Sequence, residues 1–371
     1  MVLHDGLTTV DARADFPADV GVAIVCHNNR DALVGALASL DAAGCPRPAI
    51  HIVDVASTDH TAEWLRSEYP EVRVDTLDRN DGPSPGRNVG IRSCEYPYVF
   101  LMDADVQVQP GTIQRLRAAM AADPLIKVGS PIVVHAGAPG TIQYAEGSLH
   151  FICEAINPWM DRPLAQRGSE PRDIGVAPTC GLLLDRQAAI DVGLFDERYF
   201  IGKEDGDFTH RIRLAGYRIR ELPDALVSHL SRPRGAWLFY YQIRNRWHFM
   251  LKNYEVRTLL LIAPCLLVHE PLQLVVLHAR GHGRVYWKAV LGLLRLLPSL
   301  GRDRALTNRI RVTPDAALLK SDRLIIRDDL AGHALVRVGK GAYEAFLRGY
   351  WWLLTRTILG GGSGRGGQTG R

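Results

Sequence analysis

The chain has 371 residues, 47% hydrophobic and 23% charged. These values exclude a disordered, collagen-like or disulfide-dense protein and fit two domains, or one large α/β domain with an appendage. The formal charge of +4 is too small to support nucleic-acid binding by the whole protein, yet it is uneven: Ser231 to Val312 holds 14 Lys/Arg against three acids (Glu255, Glu270, Asp303), a local +11.

In chain order, Val20–Cys26 is a short apolar run rich in β-branched residues, and Leu33, Leu37 and Leu40 follow at helical spacing within Asp31–Ala43. The spacing predicts a strand and then a helix. The pattern recurs. Ala49–Val53 reads as a strand ending at Asp54, Thr61–Ser67 as a helix, Val72–Thr76 as a strand and Pro85–Ser93 as a helix with proline in its first turn. Tyr98–Met102 is a further buried strand, ending at Asp103. Such alternation predicts parallel strands with crossover helices, a Rossmann-like sheet. Ligands sit outside the carboxyl ends of such strands, where His27, Asp54, Asn80, Asp81, Asp103 and Asp105 fall.

Beyond Pro131 the pattern loosens. Gly168–Pro178 reads as a loop, Gly181–Asp185 as a strand, Arg186–Val192 as a short helix, Glu204–Ala215 as a helix ended by Gly216, and Tyr217–Leu222 as a strand. From Trp237 onward the chain is Leu/Arg-rich helix, and residues 360–371, with seven glycines, read as a flexible tail. The expected organisation is an N-terminal extension (1–19), a catalytic domain (20–235), a basic Leu-rich helical region (236–359) and the tail. The six cysteines (26, 45, 94, 153, 180 and 265) have neither zinc-ligand nor disulfide-framework spacing and suit a reducing compartment. The N-terminus lacks a basic segment followed by an apolar one, so no signal peptide is expected.

Asp103-Ala104-Asp105 ends the apolar strand YVFLMDAD. Two carboxylates so placed can share a hard divalent cation that draws its other ligands from water and phosphate. A solvated pair of turn acids has the same sequence. A second acidic cluster holds Glu204, Asp205 and Asp207, where some carboxylates serve the helix dipole and one is available as a general base. His229 ends a strand-like run, either as a structural histidine or as a further metal ligand, and Thr179-Cys180-Gly181 forms either the acceptor side of a pocket or a tight turn.

The ordered segments IVCHNNRDAL, IVDVASTDHT, NDGPSPGRNVGI, YVFLMDADV and CGLLLDRQAAIDVGLFDERYFIGKEDGDFTHRIRLAGYRI resemble the family 2 inverting glycosyltransferases over roughly Val20–Arg246. The Arg-Asn pair within YYQIRNRW resembles the rhamnosyltransferase-like, non-processive members, because processive synthases carry Gln-x-x-Arg-Trp. The resemblance implies a GT-A fold, a Rossmann-like, mostly parallel α/β sheet flanked by helices, here with a C-terminal helical region. It implies hexosyl or deoxyhexosyl transfer from a nucleotide-diphosphate sugar, with Mn²⁺ or Mg²⁺ as cofactor. Carried onto this chain, His27, Asn28 and Asp54 would line the nucleotide pocket, with Ser57, Thr58 and Asp59 following and Val55 standing where Asn is frequent. Asp81, Arg87 and Asn88 would border the nucleoside and sugar, Asp103 and Asp105 would meet the metal-bound diphosphate, and His229 would add a ligand. Asp205, with Glu204 beside it, would be the base, and Arg244 or Arg246 would either touch the diphosphate or form a solvated basic face.

Thr258–Ala279 is long and apolar enough to span a bilayer but contains Pro264, Pro271, Glu270, His269 and His278, so a hairpin or an interfacial helix pair is expected over a clean crossing. Tyr343–Ile358 mixes Tyr, Trp and Arg as interfacial helices do. Together these place the enzyme in the cytoplasm, peripheral on the inner face of the plasma membrane, with a glycan or lipid-linked acceptor of the cell envelope. Packing of these helices on the catalytic domain or in an oligomer is the alternative. The rival functions are a sugar nucleotidyltransferase, which needs a Gly-rich loop that CHNNRDAL lacks before Gly35, and a non-catalytic nucleotide-sugar-binding scaffold.

Overall fold

The computed structural model describes residues 15–230, 235–324 and 334–359. The glycine-rich tail and most of the N-terminal extension lie outside the described residues. Four strands, β1 (Val20–Cys26), β2 (Ile50–Val55), β3 (Arg73–Leu77) and β4 (Tyr98–Asp103), run parallel in the order β3-β2-β1-β4, joined by the crossover helices α1 (Arg30–Ala42), α2 (Thr61–Glu68) and α3 (Pro83–Ser93). β1 is buried along its whole length because both faces are covered: Val22 and Ile24 join one core with Leu33, Leu37 and Leu40 of α1, while Ala23 joins another with Ile91 of α3.

The chain continues through β5 (Val106–Val108), α4 (Thr112–Ala122), β6 (Ile126–His135), β7 (Ala138–Tyr144), β8 (Ser148–His150), β9 (Ala155–Ile156), β10 (Arg172–Asp173) and β11 (Gly181–Asp185). Then come α5 (Arg186–Asp191), α6 (Glu204–Leu214) and β12 (Arg218–His229). The main sheet extends from β4 through β11, β6 and β12 to β10, with β5 paired to β12 and β7 to β6. β11 is antiparallel to both neighbours, while β6 and β12 are parallel to one another. The sheet is thus mostly parallel, as the alternating pattern predicts, with antiparallel insertions where the pattern loosens. Tyr217–Leu222 and the run to His229 are one strand, not two, with a register shift between Leu222 and Leu226.

Five helices follow: α7 (Leu238–Asn253), α8 (Val256–Ala279), α9 (Gly283–Leu294), α10 (Leu297–Ile310) and α11 (Asp315–Leu318), and the described chain closes with α12 (Ala334–Leu354). The hairpin expected at Thr258–Ala279 is instead the single helix α8, continuous through Pro264 and Pro271. Tertiary packing overrides the two breakers: Ile262, Cys265 and Leu266 are buried with Leu347, Trp351 and Leu354 of α12, and Glu270 is ion-paired to Arg246 of α7.

Close approach of α3 to the sheet depends on Gly86, where a Cβ would lie 2.9 Å from both Val25 and Val55. That approach brings the next residue, Arg87, over the carboxyl ends of the strands. Gly86→Ala is expected to lower stability by about 1–3 kcal/mol through overpacking, read as a reduced urea midpoint. An unchanged midpoint would contradict this tight contact.

Candidate active site

β4 ends in a sharp turn. The Asp103 N–H donates to Cys180 O at 2.9 Å and the Ala104 N–H to Val25 O at 3.1 Å, after which β5 runs back against β12 with Val106 opposite His229. This register sets the Asp105 carboxylate 3.5 Å from His229 Nε2, while His229 Nδ1 is 2.9 Å from Gln143 Oε1 on β7.

Arg87 ties the two acidic clusters together. Its Nη2 donates to Asp103 Oδ1 at 2.8 Å and its Nη1 to Asp205 Oδ1 at 3.0 Å, although 118 residues separate Arg87 from Asp205. The guanidinium is only 3% exposed and lies over the Phe195 ring, 5.5 Å from its centroid. The Thr179 hydroxyl donates to the same Asp205 Oδ1. Asp205 Oδ2 has no hydrogen-bond partner among the described residues, and a third of the side chain is open to solvent. Burial holds the Asp103 carboxyl above its usual range, with Arg87 opposing. Glu204, at the first position of α6, is buried and pushed up to about 8 by burial and the adjacent Asp205 charge, again against Arg87.

The segment carrying these acids is held from two sides. From α3, Asn88 donates to Phe195 O at 2.9 Å and to Glu197 at 2.8 Å, and accepts the Phe195 N–H at 2.9 Å. From α7, Asn245 donates to the carbonyls of Tyr199, Ile201 and Gly202, and Arg244 to those of Arg198 and Tyr199. Asp207 is fully buried among Arg211, Lys252, Asn253 and Tyr199; burial alone would raise its pKa, but Arg211 and Lys252 hold it down to about 2.

Several expected contacts are placed differently. Asn88 spends its whole amide on the loop. Asp81 is half exposed and pairs with Arg79 at 2.8 Å. Arg244 is half-buried and holds loop carbonyls, while Arg246 is fully buried against Glu270 and neither reaches a diphosphate nor forms a solvated face. At the carboxyl end of β1, His27 donates to Val55 O at 2.7 Å. Asn28 accepts the Thr58 N–H at 2.7 Å, and its own N–H donates to Ser57 Oγ at 2.9 Å. Asp54 is buried and accepts the Ser57 N–H at 3.1 Å. Asn28 and Asp59 line a cavity of about 220 Å³ at the start of α1.

Among the described residues, no group of three or more His, Cys, Asp or Glu side chains forms a metal cage. Asp105 and His229 nonetheless lie together beside the Asp103 turn. One carboxylate and one imidazole fit a divalent cation that takes its remaining ligands from phosphate and water. Thr179, read from the sequence as the acceptor side of a pocket or part of a tight turn, reaches Asp205, whereas Gln143 had no sequence signal and meets His229 only through strand pairing.

Residues 21–193 match the family model described as Glycosyl transferase family 2. The chain carries a glycosyltransferase family 2 domain. Its enzyme class is therefore glycosyltransferase. Over 215 residues the chain is 29% identical to an N-acetylglucosaminyl-diphospho-decaprenol L-rhamnosyltransferase of Mycobacterium tuberculosis, covering 52% of this chain and 70% of the relative. It is 27% identical over 225 residues to a pre-mycofactocin glycosyltransferase of the same organism, covering 58% of this chain and 43% of that protein. A poly-β-1,6-N-acetyl-D-glucosamine synthase of Staphylococcus aureus is 26% identical over 228 residues, 58% of this chain and 51% of the synthase. The crystal structure of GalNAc-T7 with UDP, GalNAc and Mn²⁺ superposes with a TM-score of 0.51 at 17% identity, covering 64% of this chain and 48% of that one, so the aligned part spans about half of GalNAc-T7. The family 2 domain has the GT-A fold, with C-terminal helices appended.

Glu204 has a pH signature. Because the folded state keeps its proton up to about pH 8 while the unfolded chain releases it near 4.5, its contribution to stability is full at low pH and is lost as pH rises through that window. Thermal unfolding of Glu204→Gln should therefore depend less on pH between 5 and 8 than that of the native chain. A variant with the native slope would remove Glu204 as the source.

Proposed function

We propose that this family 2 domain transfers a sugar from a nucleotide-diphosphate donor to an acceptor hydroxyl with inversion, Asp205 being the base. The observation that carries this reading is the Arg87 bridge, which sets the Asp103 turn and Asp205 on two arms of one buried guanidinium. Both bonds to Asp205 end on Oδ1, so Oδ2 is left to accept the proton of the attacking hydroxyl. Thr179 and Arg87 fix the carboxylate's direction, and single displacement follows when acceptor and leaving group lie on opposite faces of the sugar. A divalent cation, when bound, neutralises the charge that develops on the departing diphosphate; Asp105 and His229 would hold it, with Asp103 alongside. His27, Asn28 and Asp54 are the proposed nucleotide side, and residues 20–235 the catalytic unit. The Mn²⁺ and nucleotide in the GalNAc-T7 structure support this choice of ligands for the present chain.

The acceptor we propose is a lipid-linked or cell-envelope glycan, met at the cytoplasmic face of the plasma membrane by the basic helices of residues 236–359. The name of the decaprenol-linked rhamnosyltransferase relative supports it, as does the local +11. A nucleotidyltransferase is disfavoured by the glycine-poor first loop, CHNNRDAL.

Asp205→Asn should reduce transfer by about 10²–10⁴-fold while donor binding, read by thermal shift with a panel of UDP-, GDP- and dTDP-sugars, stays near native. Turnover at the native rate would remove Asp205 as base. The double variant Asp105→Ala/His229→Ala should lose the Mn²⁺-dependent part of the donor-induced shift, and retention of that part would place the metal elsewhere.

A further inference from the structure

α8 is apolar on its outward side as well as on the side packed against the protein. Its outward stripe carries Leu260 (70% exposed), Leu267 (76%), Leu272 (47%) and Val275 (65%), while Glu270 and Gln273 turn inward and the exposed Arg257 and His278 stand near its two ends. Among the described residues it is the one helix long and apolar enough to cross a membrane, with mean hydropathy 1.9, yet only 17% of its most apolar window is buried. An apolar stripe of this length facing water is uphill for a water-soluble helix.

The inward side fixes α8 in place. Glu270, midway along it, accepts from the fully buried Arg246 through one oxygen and from Tyr286 of α9 through the other at 2.9 Å. Arg246 also lies 3.6 Å from Glu154, which accepts the Lys203 ammonium at 3.2 Å directly before Glu204. The midpoint of α8 is therefore pinned to the catalytic domain, since separating Arg246 from Glu270 would leave a buried charge unpaired. α12 lies antiparallel beside it: Arg257 donates to Ile358 O, Tyr350 to Leu261 O, and His269 meets Tyr343, each within 2.9 Å. The layer's rim mixes exposed Trp287 and Trp352 with exposed Arg284, Lys288 and Arg356.

We infer that α8, with α9 and α12 at its sides, lies flat in the headgroup boundary of an anionic bilayer as an in-plane docking face and does not cross it. This deepens the membrane-associated reading above and is independent of the assignment of Asp205. The 24-residue helix, about 36 Å long at 1.5 Å per residue, cannot run perpendicular to the bilayer while its centre is held on the domain. A second copy is the poorer occupant, because pairing this face would set one +11 region against another, whereas an anionic headgroup layer complements it.

Depth-dependent quenching tests the inference. In a Cys94→Ser background, a thiol-reactive fluorophore is placed at Leu260→Cys, Leu267→Cys or Val275→Cys of the full chain. Each protein is mixed with phosphatidylcholine/phosphatidylglycerol vesicles carrying quenchers at shallow or deep acyl positions. Equal quenching of all three positions by the shallow quencher is expected. Deep quenching at 267 with shallow quenching at 260 and 275 would overturn the inference in favour of a crossing. Absence of quenching, with or without dimers in sedimentation, would also overturn it. The triple variant L260E/L267E/V275E should partition onto the vesicles about 100-fold less yet keep the native Mn²⁺-dependent donor shift. Failure of the unaltered chain to dock, with its donor binding intact, sinks only this inference; loss of donor binding in the unaltered chain sinks the transferase reading instead.

Discussion

A buried guanidinium has to be matched in charge and in hydrogen-bond geometry. Arg87 meets this constraint with two carboxylates from distant parts of the chain, Asp103 at the end of β4 and Asp205 at the start of α6. Removing either acid leaves a poorly compensated charge under the sheet edge. The loop bearing Asp205 is therefore anchored to the strand end bearing Asp103, and the dimensions of the site follow from the span of one fork-shaped side chain. Burial, with the neighbouring Asp205 and Asp103 charges added to it, keeps Glu204 protonated above the usual range.

The segment from Phe195 to Lys203 has almost no regular structure, so its backbone groups need partners from outside. Asn88 supplies them from α3, and Arg244 and Asn245 from α7. Helices beyond residue 236 thus contribute directly to the shape of the candidate site. Asp207 and Asp196 both accept from Lys252 of α7, which binds α6 and its preceding loop to the same helix. The charged chain from Glu270 through Arg246 and Glu154 to Lys203 extends this attachment to α8.

Much of this was legible in the linear order of residues. Strands β1 to β4 and their helices are local: apolar runs of four to seven residues bounded by turn signals need no distant partner to be recognised. The acids at 103 and 105 stood out because polar residues collect where parallel strands end, and those at 204, 205 and 207 because three carboxylates exceed what one helix start needs. The breaks at Pro264 and Pro271 misled, since propensity is local whereas burial against α12 and the ion pair to Arg246 is not. Arg246 misled for a related reason: a guanidinium looks alike in sequence whether it faces phosphate or a buried glutamate.

By itself the sequence determined the alternating α/β order, the acidic strand ends and the accumulation of positive charge in the Leu-rich C-terminal part, because each depends on composition or short-range spacing. Only the tertiary structure decided that Asp103 and Asp205 share Arg87, that Thr179 and Gln143 join the site, and that Glu270 faces inward while Leu260 and Leu267 face out. These are pairings across tens to more than a hundred residues, where charge matching and close packing select one arrangement from many that local propensity leaves equal.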